Sequence, residues 1–138
     1  PDVGTVSRWR GQLGTHDLRN RSMTNAQEAG RQAEAQAEQF LINHGFKLVT
    51  RNYSAKTGEI DLIMSKDELL VFVEVRLRSH GGYGTGADSI THPKQRRIIN
   101  TAKRYLQSVR KAPWQSYRFD VVSIGQSLDW IPGAFTLD

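Results

Sequence analysis

Two short apolar runs, residues 59–64 and 69–77, are separated by the polar Lys66-Asp67-Glu68 and constrain this chain more than anything else in it. They read as two strands of a hairpin. Side chains alternate along a strand, so Ile60, Leu62 and Met64 are expected on one face and Glu59, Asp61 and Ile63 on the other. In the second run, Val71, Val73 and Val75 alternate with Phe72, Glu74 and Arg76. A continuous apolar face requires the valines to meet Ile60, Leu62 and Met64, which puts Asp61, Glu74 and Arg76 on the opposite face together. With Asp67 and Glu68 as the turn, Asp61 is expected directly across from Glu74, at a Cβ separation of about 5 Å. Two carboxylates that close repel, and in a segment this apolar each is costly without a partner. A divalent cation with oxygen ligands is the natural neutraliser. The plainer alternative pairs Glu74 with Arg76 or Arg78 and leaves Asp61 facing water.

The remaining pattern surrounds this hairpin with helices and further strands. Thr24 with Gln27 forms a capping-box signature, and Ala26, Gly30, Ala33, Ala37, Phe40, Leu41 and His44 make one stripe, so a helix is expected over 25–44 with Gly45 as its stop. Glu34 lies at the edge of that stripe, where it can join the carboxylates or form a surface ion pair. A strand is expected over 46–53. Thr91 and Pro93 open a second helix over 92–110, with Ile98, Ile99, Ala102, Tyr105, Leu106 and Val109 on one arc. Residues 117–124 alternate as a strand, and 129–131 form a short one before Pro132. The order αβββαββ gives an α/β fold with a mixed central sheet flanked by helices. Trp114, Tyr117 and Tyr105 read as core.

Length and composition narrow the chemistry. The 138 residues suffice for one domain, and the absence of cysteine excludes disulfides, thiol nucleophiles and zinc-thiolate or iron–sulfur sites. No run approaches the roughly 20 apolar residues of a membrane span and none resembles a signal peptide, so a cytoplasmic protein with no membrane partner is expected. Residues 1–22 mix glycine and arginine without a period and read as a flexible basic tail anchored at most by Trp9, leaving residues 23–138 as the domain. The glycine-rich stretch 79–88 reads as a mobile loop. It has neither the dinucleotide spacing nor the Walker lysine, which rejects nucleotide binding.

Charge is unevenly spread. Residues 25–91 hold seven basic and nine acidic groups, whereas 92–138 hold eight basic and three acidic ones. The second helix carries Lys94, Arg96, Arg97, Lys103 and Arg104, continuing to Arg110 and Lys111, with no acid among them. A face of that kind suits phosphate contact and carries no base sequence information, so structure-selective or non-specific nucleic-acid binding is expected.

The run Gly58-Glu59-Ile60-Asp61-Leu62-Ile63, followed by Val71-Phe72-Val73-Glu74-Val75-Arg76, resembles the YraN family of small bacterial proteins. That family is similar to archaeal Holliday-junction resolvases and to the wider PD-(D/E)xK, restriction-endonuclease-like nucleases. The resemblance spans about residues 29–135 and takes in Gly30 and Glu34, Arg51-Asn52-Tyr53, Lys94-Gln95 and Arg118-Phe119-Asp120-Val121-Val122. It implies a restriction-endonuclease-like core and a Mg²⁺ or Mn²⁺ site built from Asp61 and Glu74, with Glu34 and Glu59 assisting. Two departures stand out. Ile60 replaces the motif's proline, and Arg76 stands where the nucleases have lysine; a guanidinium stays protonated and cannot serve as base.

The resulting expectation is an endonuclease cleaving phosphodiester bonds in DNA, in branched or damaged structures. Glu34, Asp61, Glu74, Arg76 and Gln95 would form the catalytic set, and Lys94, Arg96, Arg97, Lys103 and Arg104 would contact the backbone. Backbone contact does not discriminate DNA from RNA, and a homodimer is expected only by analogy with resolvases. The alternative is a nuclease-like module that binds nucleic acid and cleaves it slowly or not at all. A third, weaker reading is an interaction protein using the tail.

Overall fold

The computed structural model describes residues 24–78 and 90–136; the expected basic tail and glycine-rich loop lie outside them. Helix α1 spans Asn25–Asn43. Thr24 opens it through a complete capping box: its Oγ1 accepts from the Gln27 N–H while the Gln27 side chain accepts from the Thr24 N–H, both at 3.1 Å. Thr24→Ala is expected to lower stability by about 1 kcal/mol in a urea titration, and an unchanged midpoint would show that packing alone fixes the helix start. Gly45, at a φ of 94°, turns the chain out, and the Phe46 N–H returns to the Leu41 carbonyl.

Strands β1 (Lys47–Ala55), β2 (Gly58–Lys66) and β3 (Leu69–Leu77) form an antiparallel meander. Helix α2 (His92–Ser108) then crosses to β4 (Ser116–Ile124), which lies parallel to β3, and β5 (Leu128–Phe135) closes the opposite edge antiparallel to β4. The sheet order is β1-β2-β3-β4-β5, which makes β3 central, and its residues from Leu70 to Glu74 are all buried. A hydrophobic run without alternation is what a strand covered on both faces requires. The expected short strand at 129–131 is therefore a correction: β5 continues through Pro132 to Phe135. An edge position tolerates a residue without an N–H, and an irregularity in the β4 pairing between Phe119 and Val121 absorbs the change of path.

Two cores sit on opposite faces. Ala33, Ala37, Phe40 and Leu41 of α1 pack with Leu62, Met64, Val71, Val73 and Val122. Ile98, Ile99 and Ala102 of α2 pack with Ile60, Ile63, Phe72, Phe119 and Val121. The expected grouping of Leu62 and Met64 with the valines holds. Ile60, however, belongs to the other face, so the alternation breaks between positions 60 and 62. Trp114 and Tyr105 lie against the second core as expected, whereas Tyr117 is 45% exposed. It stands at the exposed start of β4, before the buried run that begins at Phe119.

Candidate active site

The break in alternation shapes the site. Arg51 pairs with Leu62 and Tyr53 with Ile60, but Asn52 and Asp61 between them form no ladder pair. Asn52 sits at a φ of 48°, in the left-handed region that asparagine tolerates better than most residues. Both strands change face across this point. Arg51 reaches Glu38 on α1, at 2.7 and 3.0 Å, while Tyr53 meets Tyr105 of α2 edge-on. The β2–β3 ladder runs from Lys66–Leu69 to Leu62–Val73 and stops there. Asp61 and Glu74 are thus the first residues beyond the pairing, where the two strands part, rather than an ordinary cross-strand pair. Instead of facing Glu74 through a ladder, Asp61 Oδ2 accepts the Val75 N–H at 2.8 Å.

The two carboxylates nevertheless feel one another strongly. Asp61 is pushed up to about 8, first by burial, then by the negative charge of Glu74, with Glu34 and Glu59 adding to the rise and the Val75 N–H opposing it. Glu74 is only 8% exposed, and its Oε2 lies 3.1 Å from Lys94 Nζ. Lys94 comes from the first turn of α2, whose N-terminus Thr91 caps by accepting the Lys94 N–H. The cation that meets Glu74 is therefore neither Arg76 nor Arg78. Arg78 is held by Ser123 and Asp129, and Arg76 stands beside Ser123 in the parallel register with its buried Nε unbonded.

The other expected members are placed as follows. Glu34 approaches from α1, and its Oε1 accepts from Asn52 Nδ2 at 3.1 Å; its charge reaches Asp61, but the side chain belongs to the α1 side. Among the described residues, no group of three or more Asp, Glu or His side chains is gathered tightly enough to hold a metal by itself. Glu59 is exposed, and Gln95 spends its Nε2 on the Ile90 carbonyl at 3.0 Å, bracing the entry to α2. Arg96, Arg97, Lys103 and Arg104 are exposed along α2, on the side away from Ile98, Ile99 and Ala102.

Asn52 is the residue for which sequence reasoning supplied no role. Its only sequence signal was its place in the Arg51-Asn52-Tyr53 segment, at the end of the strand expected over 46–53. It lines a cleft of about 500 Å³ between α1 and β1, together with Glu34, Ala35, Glu38, Arg51 and Leu62. Neither Asp61 nor Glu74 lines this cleft, although Leu62 adjoins Asp61 directly.

A five-stranded mixed sheet covered by one helix on each face, with an acidic pair where two strands separate, is consistent with a nuclease-like α/β core. The chain belongs to the uncharacterised protein family UPF0102, the YraN family, whose model matches residues 33–124. Among its relatives, the UPF0102 protein of Saccharophagus degradans is 46% identical over 118 residues, covering 84% of this chain and 99% of that protein. The UPF0102 proteins of Nitrosospira multiformis and Cupriavidus taiwanensis are each 46% identical, over 79% and 86% of this chain and 93% and 94% of their own lengths. Among the described residues no helix is long and apolar enough to cross a membrane.

Proposed function

We propose that this protein is a metal-dependent endonuclease that hydrolyses phosphodiester bonds in DNA of branched or damaged structure. The observation that supports this most is the Asp61–Glu74 pair at the parting of β2 and β3, with Asp61 half-buried, Glu74 buried and the Lys94 ammonium beside it. An all-oxygen donor set of two carboxylates suits Mg²⁺ or Mn²⁺, which commonly take one or two protein carboxylates and complete their coordination with water and substrate oxygens. Asp61 and Glu74 would hold the ion, and Glu34 would act through an intervening water. Once bound, the ion lowers the pKa of a water and offsets phosphate charge.

The chain's own groups supply the rest. Lys94 and Arg76 bring positive charge to the phosphate, Arg76 only as a fixed cation because a guanidinium does not exchange its proton in this range. Gln95 positions Lys94 by fixing the first turn of α2. Arg96, Arg97, Lys103 and Arg104 follow the backbone of the same nucleic acid, and a homodimer would present two such faces to a branched substrate.

The alternative, a nucleic-acid-binding module with weak or no cleavage, is favoured by two features: arginine at position 76, and a Glu74 already neutralised by Lys94. Cleavage of linear, nicked, flapped and four-way DNA in Mn²⁺, with Asp61→Asn as control, separates the two. Products that vanish in the variant support the enzyme; binding without any product supports the module. Independently, Arg96→Ala with Arg97→Ala is expected to flatten the dependence of log affinity on log salt by about 0.9 per lost phosphate contact. An unchanged slope would remove α2 from the interface.

A further inference from the structure

We infer that the cleft between α1 and β1 receives an unpaired nucleobase next to the phosphate held at Asp61 and Glu74, so that the protein selects DNA with an extrahelical nucleotide. This rests on the functional reading above and adds the feature of the substrate that is recognised.

Position is the first argument. Leu62 forms part of the cleft and directly follows Asp61, while Glu34 both lines the cleft and acts electrostatically on Asp61. A nucleotide whose phosphate sits at the carboxylate pair therefore has its sugar and base within reach of the cleft on the α1 side. The basic face of α2 lies on the other side of the sheet, where the remaining backbone can run.

The chemistry of the walls is the second. About 500 Å³ lies within the range of small-molecule pockets and leaves no space for a base pair with its stacked neighbours. Arg51 is locked to Glu38 by two parallel hydrogen bonds, so its guanidinium plane is fixed while the side chain remains 61% exposed. A held guanidinium plane is a stacking surface for a base. Asn52 and Glu34, bonded to each other through one N–H and one oxygen, have further amide and carboxylate positions for the ring edge, where bases carry donors and acceptors. A base stacked inside a duplex cannot enter without being extruded, which costs least when it is already unpaired.

The test measures affinities by fluorescence anisotropy in Ca²⁺ for three labelled DNAs: a paired duplex, the same duplex with one extra nucleotide, and that bulge with its base removed. The base-bearing bulge is expected to bind about tenfold more tightly than the abasic one, at the low end of what one stacked base contributes. Ala35 is exposed on α1 at the cleft, so Ala35→Trp should fill the space on a helix that still folds. The variant is expected to reduce that ratio to about one. Equal binding of the two bulges by the unaltered protein, or a ratio that survives in Ala35→Trp, overturns the inference and leaves the nuclease reading intact. Absence of binding to all three DNAs overturns both.

Discussion

Asp61→Asn is expected to make the metal-free protein more stable at pH 8 and unresponsive to Mg²⁺ or Mn²⁺. In the folded chain the Asp61 carboxyl titrates near 8, against an ordinary value of 3.8. Between those limits the folded state keeps a proton that the unfolded state has released. The resulting stabilisation is fully present below about pH 4 and is lost as the pH rises through about 8. With roughly four units between the two states, the loss amounts to about 5 kcal/mol at most. Asparagine has no proton to shed there, so this part of the pH dependence should be missing from the variant. Because a cation must displace the Asp61 proton, stabilisation by Mg²⁺ should also grow with pH between about 6 and 8 in the unaltered protein. Thermal melts across pH, with and without Mg²⁺, decide the matter. If both proteins fall in parallel with pH, or if Asp61→Asn still gains stability from the ion, the acidic pair is not the metal site.

The second large effect is structural. Asp120 is fully buried in β4 and accepts from Arg118 Nε and Nη2 at 2.8 and 3.0 Å, from Trp130 Nε1 at 2.9 Å and from the Gly133 N–H at 3.0 Å. Two of those donors belong to β5, so this one carboxylate fastens the last strand to the sheet. Asp120→Ala leaves an arginine, an indole N–H and a backbone N–H without their acceptor, and is expected to cost about 3–5 kcal/mol in urea unfolding. A cost under about 1 kcal/mol would mean that water replaces the carboxylate and that β5 is held by its backbone ladder alone. Both residues are aspartates in strands, yet removing the charge stabilises at one and destabilises at the other. Asp61 faces other acids, whereas Asp120 faces only donors.

The sheet and both helices were legible because local chemistry specifies them: caps at Thr24 and Thr91, a glycine stop at Gly45, and an apolar run long enough to mark β3 as central. The meeting of Asp61 with Glu74 was legible for a related reason, since the apolar faces of β2 and β3 must coincide from Leu62 onward. The rule failed where its premise failed. Alternation assumes regular pairing, and the unpaired Asn52 and Asp61 move Ile60 to the α2 side. Lys94 was expected to contact a phosphate backbone; its pairing with Glu74 depends on where the start of α2 docks, which no local pattern states. Pro132 suggested an end to β5 because proline lacks a donor, and the Asp120 anchor that carries the strand past it is a long-range interaction.

Pro132 and Gly133 also decide what the outer margin of the sheet can do. One contributes no backbone donor, and the other has its donor drawn inward by Asp120. That rim therefore offers no unbroken row of amides for a foreign strand to copy, which guards against fibril growth and strand exchange. Sheet extension is left to the β1 rim, which is itself kinked between Leu48 and Thr50.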